Sequence, residues 1–127
     1  MIHGVGTDLL DAGRMRRLFE RYGSRLPERL LHQAEWPAYR AARDPAHFLA
    51  RSFAVKEAAA KALGTGFRGI AHHDIGCTRD PLGKPELVFS AHGRSVLAGH
   101  GVSGGHVSLS DEGEFVLAFV VLERASM

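Results

Sequence analysis

Apolar residues recur along this chain at two spacings, and the alternation between them outlines its elements. Ile2, Val5, Leu9 and Leu10, interrupted by Gly4 and Gly6, read as a short strand ending near Asp8. Asp11 is placed to cap a helix whose apolar residues Met15, Leu18, Phe19 and Tyr22 follow helical spacing, with Gly23 as its stop. Arg14, Arg17 and Arg21 share the opposite flank. Shorter helical pieces are expected around 27–32 and 36–43. Asp44-Pro45 is a strong helix start, because the carboxylate accepts from orphan N–H groups and proline fits the first turn. From there Phe48, Leu49, Phe53, Ala60 and Leu63 lead to Gly64, which makes this the longest predicted helix. Two strands around a turn at Asp80, Pro81 and Gly83 are expected within 74–89, then a short helix within 91–101. Val107 and Leu109 point inward against Ser108 and Ser110, a turn follows at 111–113, and residues 115–122 form a strand apolar enough to need cover on both faces. The expectation is α+β: a single domain with one long helix packed on a mainly antiparallel sheet.

Composition narrows the class. A chain of 127 residues is the size of one domain, and 45% hydrophobic with 24% charged residues is ordinary for a soluble globular protein. No apolar run approaches membrane-spanning length, and the N-terminus lacks the basic start and long apolar stretch of a signal peptide. A cytoplasmic protein is expected, with no membrane partner. The lone cysteine, Cys77, has no internal partner for a disulfide, in keeping with a reducing compartment. A net charge of +2 is too mild to argue for nucleic acid. Its distribution says more: Arg14, Arg16, Arg17, Arg21, Arg25 and Arg29 crowd the first quarter of the chain, which points to an acidic partner or to a solvated basic helix face.

The chemistry concentrates on the long helix. Glu57 and Lys61 are four residues apart and so share a face, one turn beyond Phe53. An ordinary surface ion pair, worth about 0.3–0.5 kcal/mol, is one reading. The other rests on Gly64-Thr65-Gly66 directly after it, a loop whose backbone N–H groups could approach a phosphate, although this is the helix end that repels anions. Asp8 follows Gly4-Val5-Gly6-Thr7 at a strand end; it is either a site carboxylate or a turn residue. A dinucleotide fingerprint is rejected, since the third glycine and the following βαβ unit are missing. Two carboxylates on different elements with a lysine nearby suit a magnesium ion completed by substrate phosphate. His72 and His73 would point apart if extended, and no zinc-ligand spacing occurs. His106 begins a polar row continued by Ser108 and Ser110, which could meet a phosphate or simply face water. Cys77 has no charge partner and no nucleophile elbow is present, so covalent catalysis is disfavoured.

Four motifs in order, "GVGTD", "SFAVKEAAAKALGTG", "LGKP" and "HVSLSDE", resemble those of the holo-(acyl-carrier-protein) synthases, the short single-domain 4'-phosphopantetheinyl transferases. The similarity covers nearly the whole chain. It implies the 4'-phosphopantetheinyl transferase fold, transfer of 4'-phosphopantetheine from coenzyme A to a serine of acyl carrier protein for fatty acid biosynthesis, and a magnesium requirement. By the same resemblance, Asp8 and Glu57 hold the magnesium, Lys56 is a phosphate partner, and Lys61 neutralises charge on the leaving phosphate. Glu57, Asp8 and a metal-bound water all stand as acceptors of the serine proton. Arg51, Gly64, Thr65, Gly66, Lys84, Pro85, His106 and Ser108 would line the coenzyme A site, while Arg14, Leu18, Arg21 and Arg25 would dock the acidic helix of the carrier. Members of the family form trimers with the active site between subunits, which implies a homotrimer here. One departure stands out: many members have arginine where this chain has Ser52, with Arg51 beside it. Two readings from other classes are a carrier- or nucleotide-binding module without turnover and a small magnesium-dependent phosphatase or nucleotide hydrolase.

Overall fold

The computed structural model describes residues 1–125. In chain order the elements are β1 (Ile2–Asp11), α1 (Ala12–Tyr22), α2 (Arg25–Leu30), a 3-10 turn (Gln33–Glu35), α3 (Trp36–Ala41), α4 (Pro45–Leu63), a second 3-10 turn (His72–Asp74), β2 (Ile75–Arg79), β3 (Pro85–Phe89), α5 (Ala91–Gly99), β4 (Val102–Glu112) and β5 (Phe115–Arg124).

What α4 must bury organises the rest. Asp44 caps it by accepting from His47 N, Gly64 ends it in the left-handed region at φ 95°, and Ala50, Ala54, Ala58 and Ala62 lie fully inside. Alanine serves here for more than helix propensity, since its small side chain lets a strand lie against the helix backbone. The strand reciprocates with glycine. A Cβ on Gly6 would fall 1.9 Å from the Ala58 carbonyl oxygen and one on Gly4 2.0 Å from that of Ala62. Contacts this short are excluded for real atoms, so β1 can cross α4 only where it has no side chain.

β1 pairs antiparallel with β5, the last strand, and β5 with β4, giving the order β1-β5-β4; β2 and β3 form a separate two-stranded antiparallel sheet. The hairpins expected at 74–89 and 106–123 are present, the second lengthened to 102–124, but the single expected sheet is divided in two. The expected short first strand is longer, because β5 offers it partners as far as Asp11, opposite Phe115. Asp11 then also caps α1, accepting from Gly13 N. The last strand is not buried on both faces within one chain. Val116, Ala118, Val120 and Leu122 face α4 and are covered, whereas Phe115, Leu117 and Phe119 are 53%, 39% and 41% exposed. Leu9 and Val5, opposite Leu117 and Val121, extend that uncovered apolar face across β1. Tyr22, assigned from its spacing to the apolar side of α1, is also exposed. Arg16 ties three segments together, bonding Asp44 at the start of α4 and Glu114 in the β4–β5 turn. Among the described residues, no helix is long and apolar enough to cross a membrane.

Candidate active site

The crossing of β1 over α4 brings Asp8 to Lys61 and Glu57. On β1 the even-numbered residues Gly6, Asp8 and Leu10 project toward the helix. Lys61 Nζ donates to the Thr7 carbonyl at 2.8 Å and to Asp8 Oδ1 at 3.4 Å. Burial raises the Asp8 carboxyl above its ordinary value; Lys61 and Arg14 pull it back and the negative charge of Glu57 pushes it further up. Two carboxylates thus sense each other across two elements with a lysine between strand and helix. The surface ion pair between Glu57 and Lys61 is absent among the described residues: Lys61 turns to β1 and Glu57 Oε1 takes a hydrogen bond from His72 Nε2 at 3.0 Å.

The Gly64-Thr65-Gly66 loop follows with both glycines at positive φ, 95° and 61°. Thr65 Oγ1 is buried and, alone among the buried side-chain polar atoms of the described residues, has no hydrogen-bond partner. An orphaned buried hydroxyl costs free energy unless something else satisfies it. Two carboxylates beside a lysine are the chemistry that suits magnesium held by one or two carboxylates with phosphate oxygens completing its shell. Asp8 and Glu57 could hold it; among the described residues no cluster of three or more metal-ligating side chains occurs.

Lys84, Pro85 and His106 line a second cavity, of about 300 Å³, together with Leu87 and Gly105. His106 is exposed and paired with Glu123. Within one chain, His106 and Ser108 do not join the carboxylates. Ser108 pairs across β5 with Phe119 and Asp8 with Ala118, so the two sets project from opposite faces of the sheet.

Lys56 corrects the expectation of a phosphate partner. It is the neighbour of Glu57 in sequence, but one residue on a helix turns a side chain by about 100°, and Lys56 points into the core at 0% exposure. There it donates to Glu35 Oε1 at 2.5 Å and to the Ile75 carbonyl. Burial draws its pKa below the ordinary lysine value, and the Glu35 carboxylate opposes that fall. Glu35 Oε2 accepts from Ser52 Oγ at 2.7 Å and from Cys77 N at 3.2 Å. Ser52 is therefore buried and engaged, and the side chain next to it, Arg51, bonds Asp111 at 3.1 Å, where His47 also binds. Burial pushes the Cys77 thiol up to about 11, which makes it a poor nucleophile at neutral pH. Arg14, Leu18 and Arg21 lie along one stripe of α1, the arginines exposed, and Arg25 lines a small groove with Tyr22 and Arg29. The residue that pattern reading passed over is His72. A 3-10 turn, not an extended segment, carries it back to Glu57, and no local periodicity announces such a contact.

This fold matches a known class. A profile of the 4'-phosphopantetheinyl transferase superfamily matches residues 4–120. The chain belongs to that superfamily, in its branch of holo-(acyl-carrier-protein) synthases. It is 54% identical over 127 residues to the holo-(acyl-carrier-protein) synthase of Thiobacillus denitrificans, covering 99% of this chain and 97% of that one. The crystal structure of the synthase from Neisseria meningitidis superposes with a TM-score of 0.93 at 42% identity, over 98% of this chain and 100% of the other. The synthase from Bacillus anthracis, solved in complex with CoA (3',5'-ADP), superposes at 0.80 with 31% identity over 98% and 99%.

Proposed function

We propose that this protein transfers the 4'-phosphopantetheine group of coenzyme A to a serine hydroxyl of an apo acyl carrier protein, releasing adenosine 3',5'-bisphosphate, in support of fatty acid biosynthesis in the cytoplasm. The observation that carries the proposal is the meeting of Asp8, Glu57 and Lys61 where β1 crosses α4. The serine oxygen bonds to the phosphorus bearing the pantetheine arm while the bond from that phosphorus to the bridging oxygen breaks. The hydroxyl loses its proton, and negative charge grows on the departing nucleotide phosphate. Lys61, whose side chain is more than half exposed, is placed to neutralise that charge. Asp8 and Glu57 would hold a magnesium ion, which when bound supplies positive charge to the pyrophosphate. Asp8 or Glu57 would also offer the nearest carboxylate for the serine proton.

Gly64 and Gly66 expose backbone to the substrate and the Thr65 hydroxyl gains a partner when the phosphates arrive. Arg51, Lys84, Pro85, His106 and Ser108 would contact the rest of coenzyme A. Because His106 and Ser108 lie across the sheet from Asp8, one site using all of them needs a second copy of the chain. The uncovered apolar face of β1 and β5 offers a surface for it, which supports a homotrimer with active sites between subunits. Arg14, Arg21 and Arg25, with Leu18 as apolar contact, would dock the acidic carrier.

Intact mass spectrometry of apo acyl carrier protein incubated with this protein, coenzyme A and magnesium tests the reading. A magnesium-dependent gain of one phosphopantetheine mass supports it. Carrier bound but never modified would favour a binding module, and coenzyme A hydrolysed without carrier would favour a hydrolase.

A further inference from the structure

His72 faces Glu57 and has no part in the scheme above. Its imidazole is stacked between Phe53, with centroids 5.4 Å apart and planes at 11°, and Phe67, at 4.0 Å and 19°. Its backbone is pinned as well: Asp74, closing the same turn, accepts from Ala71 N at 2.8 Å and from Ser90 Oγ at 2.6 Å. The ring is thus held on both faces and at its base, leaving its edge to meet Glu57 Oε1 at 3.0 Å. An ionised carboxylate only accepts, so Nε2 carries the hydrogen in this contact. Among the described residues nothing else hydrogen-bonds Glu57, whose long side chain would otherwise sample several rotamers at a half-buried surface. Lys61, the other candidate partner, is committed to β1. Neighbouring His73 is a natural contrast: it is mostly exposed and only 4.0 Å from Asp74.

We propose that His72 is a positioning residue for Glu57: it fixes the carboxylate by Oε1 and leaves Oε2 to bind a divalent cation with Asp8. This rests on Asp8 and Glu57 being the cation ligands. Hydrogen bonds from outside the ligand set commonly orient the ligand and tune its affinity for metal. Here the aromatic sandwich removes the freedom of the orienting group before any cation arrives.

The test is Mn2+ binding to the full-length protein by electron paramagnetic resonance, without coenzyme A or carrier. His72→Phe keeps an aromatic ring between Phe53 and Phe67 but removes the donor; it is expected to raise the Mn2+ Kd about tenfold. His72→Gln, which can still donate an N–H, is expected to stay within about threefold of wild type, and His73→Gln to match it. Should His72→Phe not fold, His72→Ala carries the same expectation. Glu57→Gln separates the two layers of the argument. If Glu57→Gln loses Mn2+ while the donor-less variant binds it as wild type does, the role of His72 is overturned and the cation site stands. If Glu57→Gln binds Mn2+ normally, the cation site itself is wrong and the proposal falls with it. Equal weakening by the Gln and Phe variants would also overturn it, because the hydrogen bond would then not matter.

Discussion

Replacing Lys56 by methionine isolates what the buried pair contributes. Methionine keeps most of the volume and the apolar stem, so the core is not hollowed and the change is electrostatic. Glu35 remains at 1% exposure with three donors, Ser52 Oγ at 2.7 Å, His32 N at 3.0 Å and Cys77 N at 3.2 Å, and the Ile75 carbonyl loses its donor. Removing one member of a buried ion pair costs about 3–5 kcal/mol, because the survivor cannot reach water. The three remaining donors place Lys56→Met near the lower end, about 3 kcal/mol. With an unfolding entropy of about 2.1 cal/mol/K per residue, 127 residues give about 0.27 kcal/mol/K, and the Tm should fall by about 11 °C. Adding Glu35→Gln removes the orphaned charge; its amide oxygen still accepts from Ser52 Oγ and Cys77 N, while His32 N loses its acceptor. The double variant should recover about 1.5 kcal/mol or more of the loss. Urea denaturation followed by circular dichroism at pH 7 measures both, with an unchanged m-value showing that the same surface unfolds. A Lys56→Met protein as stable as wild type, with a raised KM for coenzyme A, would refute the reasoning and return Lys56 to the ligand.

Three further outcomes are expected. Gly6→Ala forces a methyl onto the Ala58 carbonyl and should destabilise by about 3 kcal/mol in the same urea titration, whereas Gly99→Ala, with open space around it, should be close to neutral. Arg16 holds the Asp44 carboxyl down to about 2 against an ordinary 3.8; a folded value below the unfolded one adds stability above pH 3.8 that is lost as pH falls toward 2. Because Asp44 is nearly half exposed, that contribution is at most about 1 kcal/mol, and thermal melts of Asp44→Asn against wild type should converge as the pH approaches 2. Arg14→Glu with Arg21→Glu should raise KM for the carrier at least tenfold more than KM for coenzyme A, and added salt should narrow the gap; equal effects on both would remove α1 as the docking surface.

Local signals carried much of this protein. The Asp44-Pro45 start, the Gly64 stop, the two hairpins and the α+β class follow from caps, turn residues and spacing, which act over a few residues and are therefore written in consecutive positions. The motifs around Asp8, Glu57 and the Gly64–Gly66 loop likewise named the carboxylates and lysine that meet. Sequence adjacency misled where direction mattered. Lys56 and Glu57 are neighbours, yet a rotation of about 100° per residue sends one into the core and the other to the surface. Partners distant along the chain were decided only by the tertiary structure. The pairing of the first strand with the last, the close passage of Gly4 and Gly6 over α4, the capture of Lys56 by Glu35 and the contact of His72 with Glu57 each join segments 15 to more than 100 residues apart. The same holds for the placement of His106 and Ser108 across the sheet from Asp8, since strand pairing determines which residues share a face. Local pattern says what each segment can form, and packing decides which side chains then meet.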